Sequence, residues 1–366
     1  PDFNSYISPN TSDIGFDYEF IIPATVDRVP CVFVENGRVV NLDPAEPIYV
    51  DYEKKVGDWP TGKENPELLT LKPSQGHDNT IVNGISRIGY MTGGKSALWK
   101  DDEIAQTIVT KAEKFITENR EKPFFLFFGT HDIHVPRVPH ADFRGKSGLG
   151  DRGDVILQLD WTVGKITEIL ENRQLLDNTI IIFSSDNGPV IDDGYQDRAF
   201  ELLNGHTPMG MYRGGKYSLF EAGTRVPLIV YWKNQIEAGI QPARFSQIDL
   251  LRSMATLLDQ SLEEEVAPDS QDALSVLLGR GNKDRDFIIH QNLNNALSIS
   301  KEGWKYLEPD EHPAIEQWTG IELGNSPRPQ LYHTAEDPAE KNNVAGKYPA
   351  IVRKLSDMLD SVRSNN

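Results

Sequence analysis

The 366 residues can bury a large core, and the length accommodates two domains or one large domain with an appendage. Lys and Arg number 37 against 55 Asp and Glu, and the resulting net charge of −18 repels polyanions, which excludes nucleic acid as a partner and requires a local basic pocket for any anionic substrate. No apolar run is long enough to span a membrane and no signal peptide stands at Pro1, so the chain reads as soluble, while the single cysteine, Cys31, closes no disulfide within the chain and reads as a buried thiol.

Residues 1–98 are the least regular stretch, punctuated by Pro-Asn, Asn-Gly, Asp-Pro and Trp-Pro. Within them Val32-Phe33-Val34 and Arg38-Val39-Val40 flank Glu35-Asn36-Gly37, which predicts a hairpin with an Asn-Gly turn. The rest of this stretch reads as long excursions over a sheet. Next, Ile104, Ile108, Ala112, Phe115 and Ile116 fall on one helical face, started by Asp101-Asp102 and stopped before Pro123. The run F-F-L-F-F at residues 124–128 predicts a continuously buried strand. A second helix is expected from Asp151 to Asn172, with Val155, Ile156, Leu159, Val163, Ile166 and Leu170 inward. The β-branched run from Thr179 to Phe183 predicts a parallel strand buried on both faces and central in its sheet.

Helix, strand, helix, strand at this spacing predicts a parallel sheet with right-handed crossovers. Val226 to Trp232 reads as a further strand, and Ser246 as the cap of a helix with Ile248, Leu251, Met254, Leu257 and Leu258 inward. After about residue 260 the texture changes to short strands at 287–290, 296–300, 304–307 and 330–333, closed by a helix carrying Ile351, Leu355, Met358 and Leu359 on one side. Two domains are therefore expected: an α/β domain over residues 1–260, and a small antiparallel α+β subdomain over residues 261–366.

Three stretches could carry chemistry. Asp186, Asn187 and Gly188 come directly after the strand at Thr179, where ligands bind in open α/β folds; they fit either hard oxygen donors for Ca²⁺ or Mg²⁺, or ordinary turn chemistry. The loop after residues 124–128 holds His131, His134, Arg137 and His140, equally readable as site or as packing, with Pro136 restricting how the His134 imidazole points. Around His206, Arg213, Lys216 and Arg225 interleave with glycines, which suits a small oxyanion or a solvated turn.

Together, S-S-D-N-G-P at residues 184–189, G-K-Y-S-L-F-E-A-G-T-R-V-P at 215–227 and H-V-P at 134–136 resemble the sulfatases of the alkaline-phosphatase superfamily. D-x-x-V-G at 160–164 and L-Y-H-T-A-E-D-P-A-E-K-N-N at 331–343 fall in the same order as in that family. The resemblance covers nearly the whole chain. It implies an alkaline-phosphatase-like, mainly parallel sheet flanked by helices and incomplete at its N-terminus. It implies Asp186 and Asn187 as calcium ligands, Lys216 on the sulfate, and His134 on the sulfate and the leaving oxygen; His131, His206 and Arg213 are expected only as substrate contacts.

The departures are equally informative. The C/S-x-P-S-R segment that yields the family's formylglycine nucleophile is absent, and so are the N-terminal Asp-Asp and the G-K-x-H segment. Gly15-Phe16-Asp17 resembles the G-F-D found just after G-K-x-H in the family. The expectation is a C-terminal portion of a sulfatase, inactive alone and with an incomplete metal site, whose partners are the missing N-terminal part of the same domain and a sulfated small molecule or glycan, with no nucleic acid or membrane. The wording of the motifs resembles glycan-degrading bacterial sulfatases, which implies a carbohydrate sulfate and a periplasmic or secreted address. A phosphohydrolase or phosphodiesterase of the same superfamily, or a noncatalytic glycan-binding module, are the competing readings; the first usually carries Asp-His-Gly where Asp186-Asn187-Gly188 stands.

Overall fold

The computed structural model describes residues 1–365. Its first ladder is an antiparallel sheet of β1 (Phe20–Ile21), β2 (Val34–Glu35) and β3 (Arg38–Val39). Asn36 and Gly37 sit at φ 49° and 73°, the pair of left-handed positions that matches hairpin twist, so the Asn-Gly turn forms where expected. Contacts divide the chain into two units, residues 1–175 with 191–206, and residues 176–190 with everything from 207 onward; the boundary expected near residue 260 lies inside the second.

In the first unit, β4 (Tyr49–Asp51) pairs with β7 (Tyr90–Thr92) and β5 (Ile81–Val82) with β6 (Ile85–Ser86), all antiparallel. Their core gathers Val26, Val29, Cys31, Met91, Trp99 and Ile104. Asp101 opens a 3₁₀ turn leading into α1 (Ile104–Asn119), but its carboxylate is buried, accepting from Arg87 at 2.7 and 2.9 Å. A fully buried arginine is tolerable because it is paired here and also donates to Val26 O. Helix α1 buries Ile104, Ala105, Val109, Ala112 and Ile116 and packs on α2 (Gly150–Asn172). The expected apolar face of α2 is only partly the buried one. Val155 and Leu170 are buried, yet so are Arg152, Asp154, Gln158 and Thr162, while Leu159, Val163 and Ile166 are half-buried.

Residues 124–128 depart from expectation. They run extended with no ladder partner among the described residues; Phe124, Leu126 and Phe128 are half-buried, whereas Phe125 and Phe127 are 73% and 74% exposed. Phe124 packs against Phe115 and Phe125 against Phe16.

In the second unit, β8 (Ile181–Ser184) is a strand as expected, but half-buried along its length and paired antiparallel with β9 (Leu228–Tyr231) in a sheet of two. Between them lies α3 (Glu221–Thr224). Ser246 caps a 3₁₀ turn that enters α4 (Leu250–Leu257), but Ile248, Leu251 and Leu258 point to solvent instead of inward. After α5 (Leu274–Leu277) come β10 (Ile288–Gln291), β11 (Leu297–Lys301), β12 (Trp304–Leu307) and β13 (Gln330–His333), a four-stranded antiparallel meander covered by α6 (Pro349–Asn365). Ile299, Tyr306, Leu331, Leu355 and Leu359 form its core, as the sequence predicts.

The elements are thus α/β, with the antiparallel C-terminal sheet in place. Every ladder among the described residues is antiparallel, however, and parallel pairing is confined to the isolated bridges Arg28 to Ile88 and Leu71 to Ile85. Residues 124–128 belong to no ladder among the described residues, and β8 pairs with β9 in a sheet of two. No helix of the described residues is long and apolar enough to cross a membrane.

Candidate active-site residues

In the second unit the chain leaves β8 through Ser185, Asp186, Asn187 and Gly188. Gln247 fixes the exit by donating to Ser184 Oγ at 2.8 Å and Ser185 O at 2.7 Å. Gly188 N donates to Gly223 O at 2.8 Å, and a Cβ at Gly188 would lie 1.6 Å from Ala222 O, so only glycine lets the two loops meet. Lys216 N likewise donates to Pro189 O at 3.0 Å. The two glycine-rich motifs, far apart in sequence, are therefore spliced backbone to backbone, which brings the loop of Asp186 and Asn187 beside that of Lys216.

Asp186 is exposed, and its Oδ1 accepts from Asn187 N at 2.9 Å. Asn187 is half-buried, and its Nδ2 donates to Gly188 O at 2.9 Å. Adjacent carboxylate and amide oxygens are what a hard divalent cation takes. Lys216 is half-buried, with Nζ 5.1 Å from the Tyr217 ring centroid. Arg213 sits differently. Its Nε and Nη2 donate to Glu322 at 2.7 and 2.8 Å, Nη1 donates to Glu340 O at 2.7 Å, and the guanidinium lies 4.0 Å over the Phe220 ring. These bonds tie the Arg213 loop to the Glu322 and Glu340 segments.

In the first unit His134 is half-buried, and since a carbonyl only accepts, its Nδ1 carries the proton given to Val135 O at 2.7 Å. Nε2 is then the nitrogen left to exchange a proton with a ligand. His131 is half-buried with Nδ1 buried and unpartnered, and burial lowers its pKa. His206 lies on an exposed turn, its Nδ1 3.1 Å from Arg152 Nη1.

The sequence reading missed Asp27 and His77. Asp27 is buried; His77 Nε2 lies 3.1 Å from its Oδ2, and Thr25 and Arg28 hold Oδ1. Burial pushes the Asp27 carboxyl up, but hydrogen bonds from His77 and Thr25 and the charges of His134 and Arg28 outweigh it and bring it to about 2. His77 faces two pure acceptors, Asp27 and Gln75 O at 2.8 Å, an arrangement that favours the doubly protonated ring. Its pKa is accordingly raised against the opposing effect of burial. His77 lies at φ 47°, and a Cβ on Gly194 would fall 2.2 Å from its ring. Fifty residues separate the two partners, and neither stands in a recognisable pattern, so no local signal marked them.

At the end of β8 a carboxylate and an amide oxygen, both hard donors, stand on a loop bonded to the loop that carries Lys216. The chain belongs to the sulfatase family, whose profile matches residues 54–260; its members are sulfuric ester hydrolases of alkaline-phosphatase-like α/β fold. It is 66% identical over 363 residues to an N-acetylgalactosamine-6-O-sulfatase of Bacteroides thetaiotaomicron, covering 99% of this chain and 71% of that protein. Human steryl-sulfatase is 29% identical over 66% of this chain, which spans 44% of it.

Among solved structures, a 6S-sulfatase from a glycosaminoglycan-metabolism locus of B. thetaiotaomicron superposes with a TM-score of 0.98 at 66% identity, over 99% of this chain and 76% of that one. A Pseudoalteromonas sulfatase shares the fold, with a TM-score of 0.60 at 22% identity over 72% of this chain and 53% of its own. The chain therefore spans about three quarters or less of each of these relatives.

The family works with a calcium ion and a formylglycine. Asp186 and Asn187 fit part of a calcium shell, which takes roughly six to eight oxygens. Among the described residues no group of three or more His, Cys, Asp or Glu side chains is gathered to hold a metal. Cys31 does not match the formylglycine precursor, because it stands in Cys31-Val32-Phe33-Val34-Glu35 instead of C-x-P-S-R; its thiol is fully buried.

Proposed function

We propose that the protein to which these residues belong removes sulfate from carbohydrate, with the 6-sulfate of N-acetylgalactosamine as substrate. The observation that carries the reading is the 66% identity over 99% of the chain to a sulfatase of that name. In this reading Asp186 and Asn187 donate two oxygens to calcium. Lys216, a compact point charge, binds the sulfuryl oxygens on which negative charge builds during S–O cleavage. His134, oriented by its Nδ1–H bond to Val135 O, delivers a proton from Nε2 to the leaving alkoxide. His131 and His206 are further candidate sugar contacts, and Arg213, bound to Glu322, shapes the loop of Lys216. The ion would neutralise charge on the sulfate, and the formylglycine hydrate would supply the nucleophile.

The 366 residues alone are proposed to be inactive, because C/S-x-P-S-R is not among them. The unladdered residues 124–128 and the two-stranded β8–β9 ladder support the same view, since each could take a further strand from a longer form of the protein. By resemblance to exported glycan-degrading enzymes, the address is periplasmic or secreted.

The test is hydrolysis of a chromogenic aryl sulfate and of N-acetylgalactosamine 6-sulfate. No turnover is expected from the 366 residues and ready turnover from a form with the upstream segment, in which His134→Ala lowers kcat by about 10²–10⁴-fold. Turnover by the 366 residues alone would refute their inactivity. Zinc in place of calcium in the longer protein would turn the reading towards a phosphohydrolase.

A further inference from the structure

Helix α3 is a single turn, Glu221–Thr224, too short to hold its place unaided. The C-terminal sheet holds it at both ends. Lys305, on β12, is fully buried, with Nζ 2.9 Å from Glu221 Oε1 and 3.3 Å from Glu340 Oε1. Glu340 Oε2 in turn accepts from Glu221 N at 2.6 Å. At the far end of the turn, Thr224 Oγ1 lies 3.2 Å from Nδ1 of His290 on β10. Burial and the Lys305 charge bring the His290 pKa down to about 4, which keeps that ring neutral beside the buried cation.

Glu340 grips the same loop a second time, its backbone oxygen accepting from Arg213 Nη1 at 2.7 Å. It stands at φ 49°, a left-handed position where glycine sits without strain, and it is fully buried. Burial raises its pKa against the pull of Lys305. A buried ion cluster of this kind gives little stability over apolar packing of equal volume. What the charges add is direction, because a carboxylate fixed by one lysine and one backbone N–H leaves α3 little freedom to slide. That position is passed on through the backbone. Ala222 N donates at 2.9 Å to the oxygen of Arg213, three residues before Lys216, and Gly223 O accepts at 2.8 Å from Gly188 N, one residue after Asn187.

We propose that Glu340 and Lys305 are positioning residues, which act through α3 to set where the Lys216 turn and the loop of Asp186 and Asn187 stand. Both are fully buried and touch no ligand themselves. The inference rests on the roles proposed above for Lys216, Asp186 and Asn187. The C-terminal sheet then decides how well the lysine meets the charge that builds on the sulfuryl oxygens, although it carries none of the reacting groups.

The test compares Glu340→Gly, which suits the left-handed backbone, and the milder Glu340→Gln with Ile299→Ala. Ile299 lies in the core under α6, on the sheet face opposite Lys305, so its truncation weakens the same sheet without touching the cluster. In the 366-residue chain, the backbone amide resonances of Gly188 and Lys216 are expected to move in Glu340→Gly, to move less in Glu340→Gln and to stay in place in Ile299→Ala. In the form with the upstream segment, Glu340→Gly should lower kcat on N-acetylgalactosamine 6-sulfate by about 10–100-fold, with Glu340→Gln intermediate. Compared per folded molecule, Ile299→Ala should keep kcat within about twofold.

Unmoved Gly188 and Lys216 resonances in Glu340→Gly would overturn the proposal, as would an unchanged kcat in an active longer protein. Equal shifts or equal kcat losses in Ile299→Ala would do the same, since that is what a merely structural role predicts. Failure of Glu340→Gln to fold, by circular dichroism and melting, would also count against it, because the cluster would then be a requirement of the fold. The resonances involve no sulfate-ester turnover. A longer protein that hydrolyses no sulfate ester would therefore sink the activity reading while the resonances still decide the positioning.

Discussion

Two sheets of the second unit are built from similar residues and end in opposite states. In β10–β13, Ile299 and Leu331 are fully buried under α6, and Leu307 is fully buried on the other face against Leu219 and Phe220. In the β8–β9 pair no residue is fully buried, and Ile229 is 60% exposed. Residues 124–128 of the first unit repeat the second pattern with two outward phenylalanines. β-branched and aromatic runs report how apolar a strand's finished surroundings are, while burial depends on whether those surroundings are supplied. One face of the C-terminal sheet takes its cover from α6, within about 80 residues of chain, and the other from Leu219 and Phe220 of the same unit.

The sharpest way to break the contrast is at the ion pairs beneath the C-terminal sheet. Lys305 is fully buried, with Nζ 2.9 Å from Glu221 Oε1 and 3.3 Å from Glu340 Oε1. Lys305→Met leaves the buried Glu340 carboxylate uncompensated, while Glu221 keeps Arg225 Nη1 at 3.2 Å, and should cost about 3–5 kcal/mol in urea unfolding. Next, Leu331→Ala should cost about 2–5 kcal/mol, with the upper half of that range favoured if the site cannot collapse.

A third expectation concerns pH in the first unit. The Asp27 carboxyl is held at about 2, below its unfolded value, so its stabilisation is complete above roughly pH 4 and lost as pH falls through about 2. Asp27→Asn should flatten that acid limb by on the order of 2 kcal/mol, monitored by acid titration of the circular dichroism signal. The smallest effect belongs to the open strand: Ile229→Ala should change stability by less than about 0.5 kcal/mol in the 366 residues. In a longer form that covers β9, the same substitution should cost about 2 kcal/mol or more, which turns the comparison into a measure of cover. Equal costs in the two forms would remove the contrast.

Legibility from the sequence divides along the same line. The Asn36-Gly37 hairpin, the ends of α1 and α2, and all four strands of the C-terminal sheet were legible, because local pattern and final packing agree there. Residues 124–128, β8 and the apolar side of α4 were legible as elements but not in their burial, since that is set by chain outside each segment. The inner face of α2 was misread for a different reason. Arg152, Asp154 and Gln158 are buried against His206, Ser147 and Asp132, partners that periodicity cannot reveal.

Among the candidate residues, the neighbourhood of Asp186, Asn187 and Lys216 was legible through their two motifs, and the backbone bonds from Gly188 and Lys216 now account for it. The Asp27–His77 pair, and the orphaned nitrogens of His131 and Arg152, exist only once distant segments meet.

The absence of a Cβ at Gly188 has a consequence for how variation is tolerated. With 1.6 Å between the place a methyl would take and Ala222 O, this position works as a hinge pin shared by two loops. A larger residue would pry the Ala222 segment away, and the lysine's turn, pinned to Pro189, would be dragged with it. Changes harmful to either loop should therefore be inherited by both, and the pair would drift through sequence space as one piece.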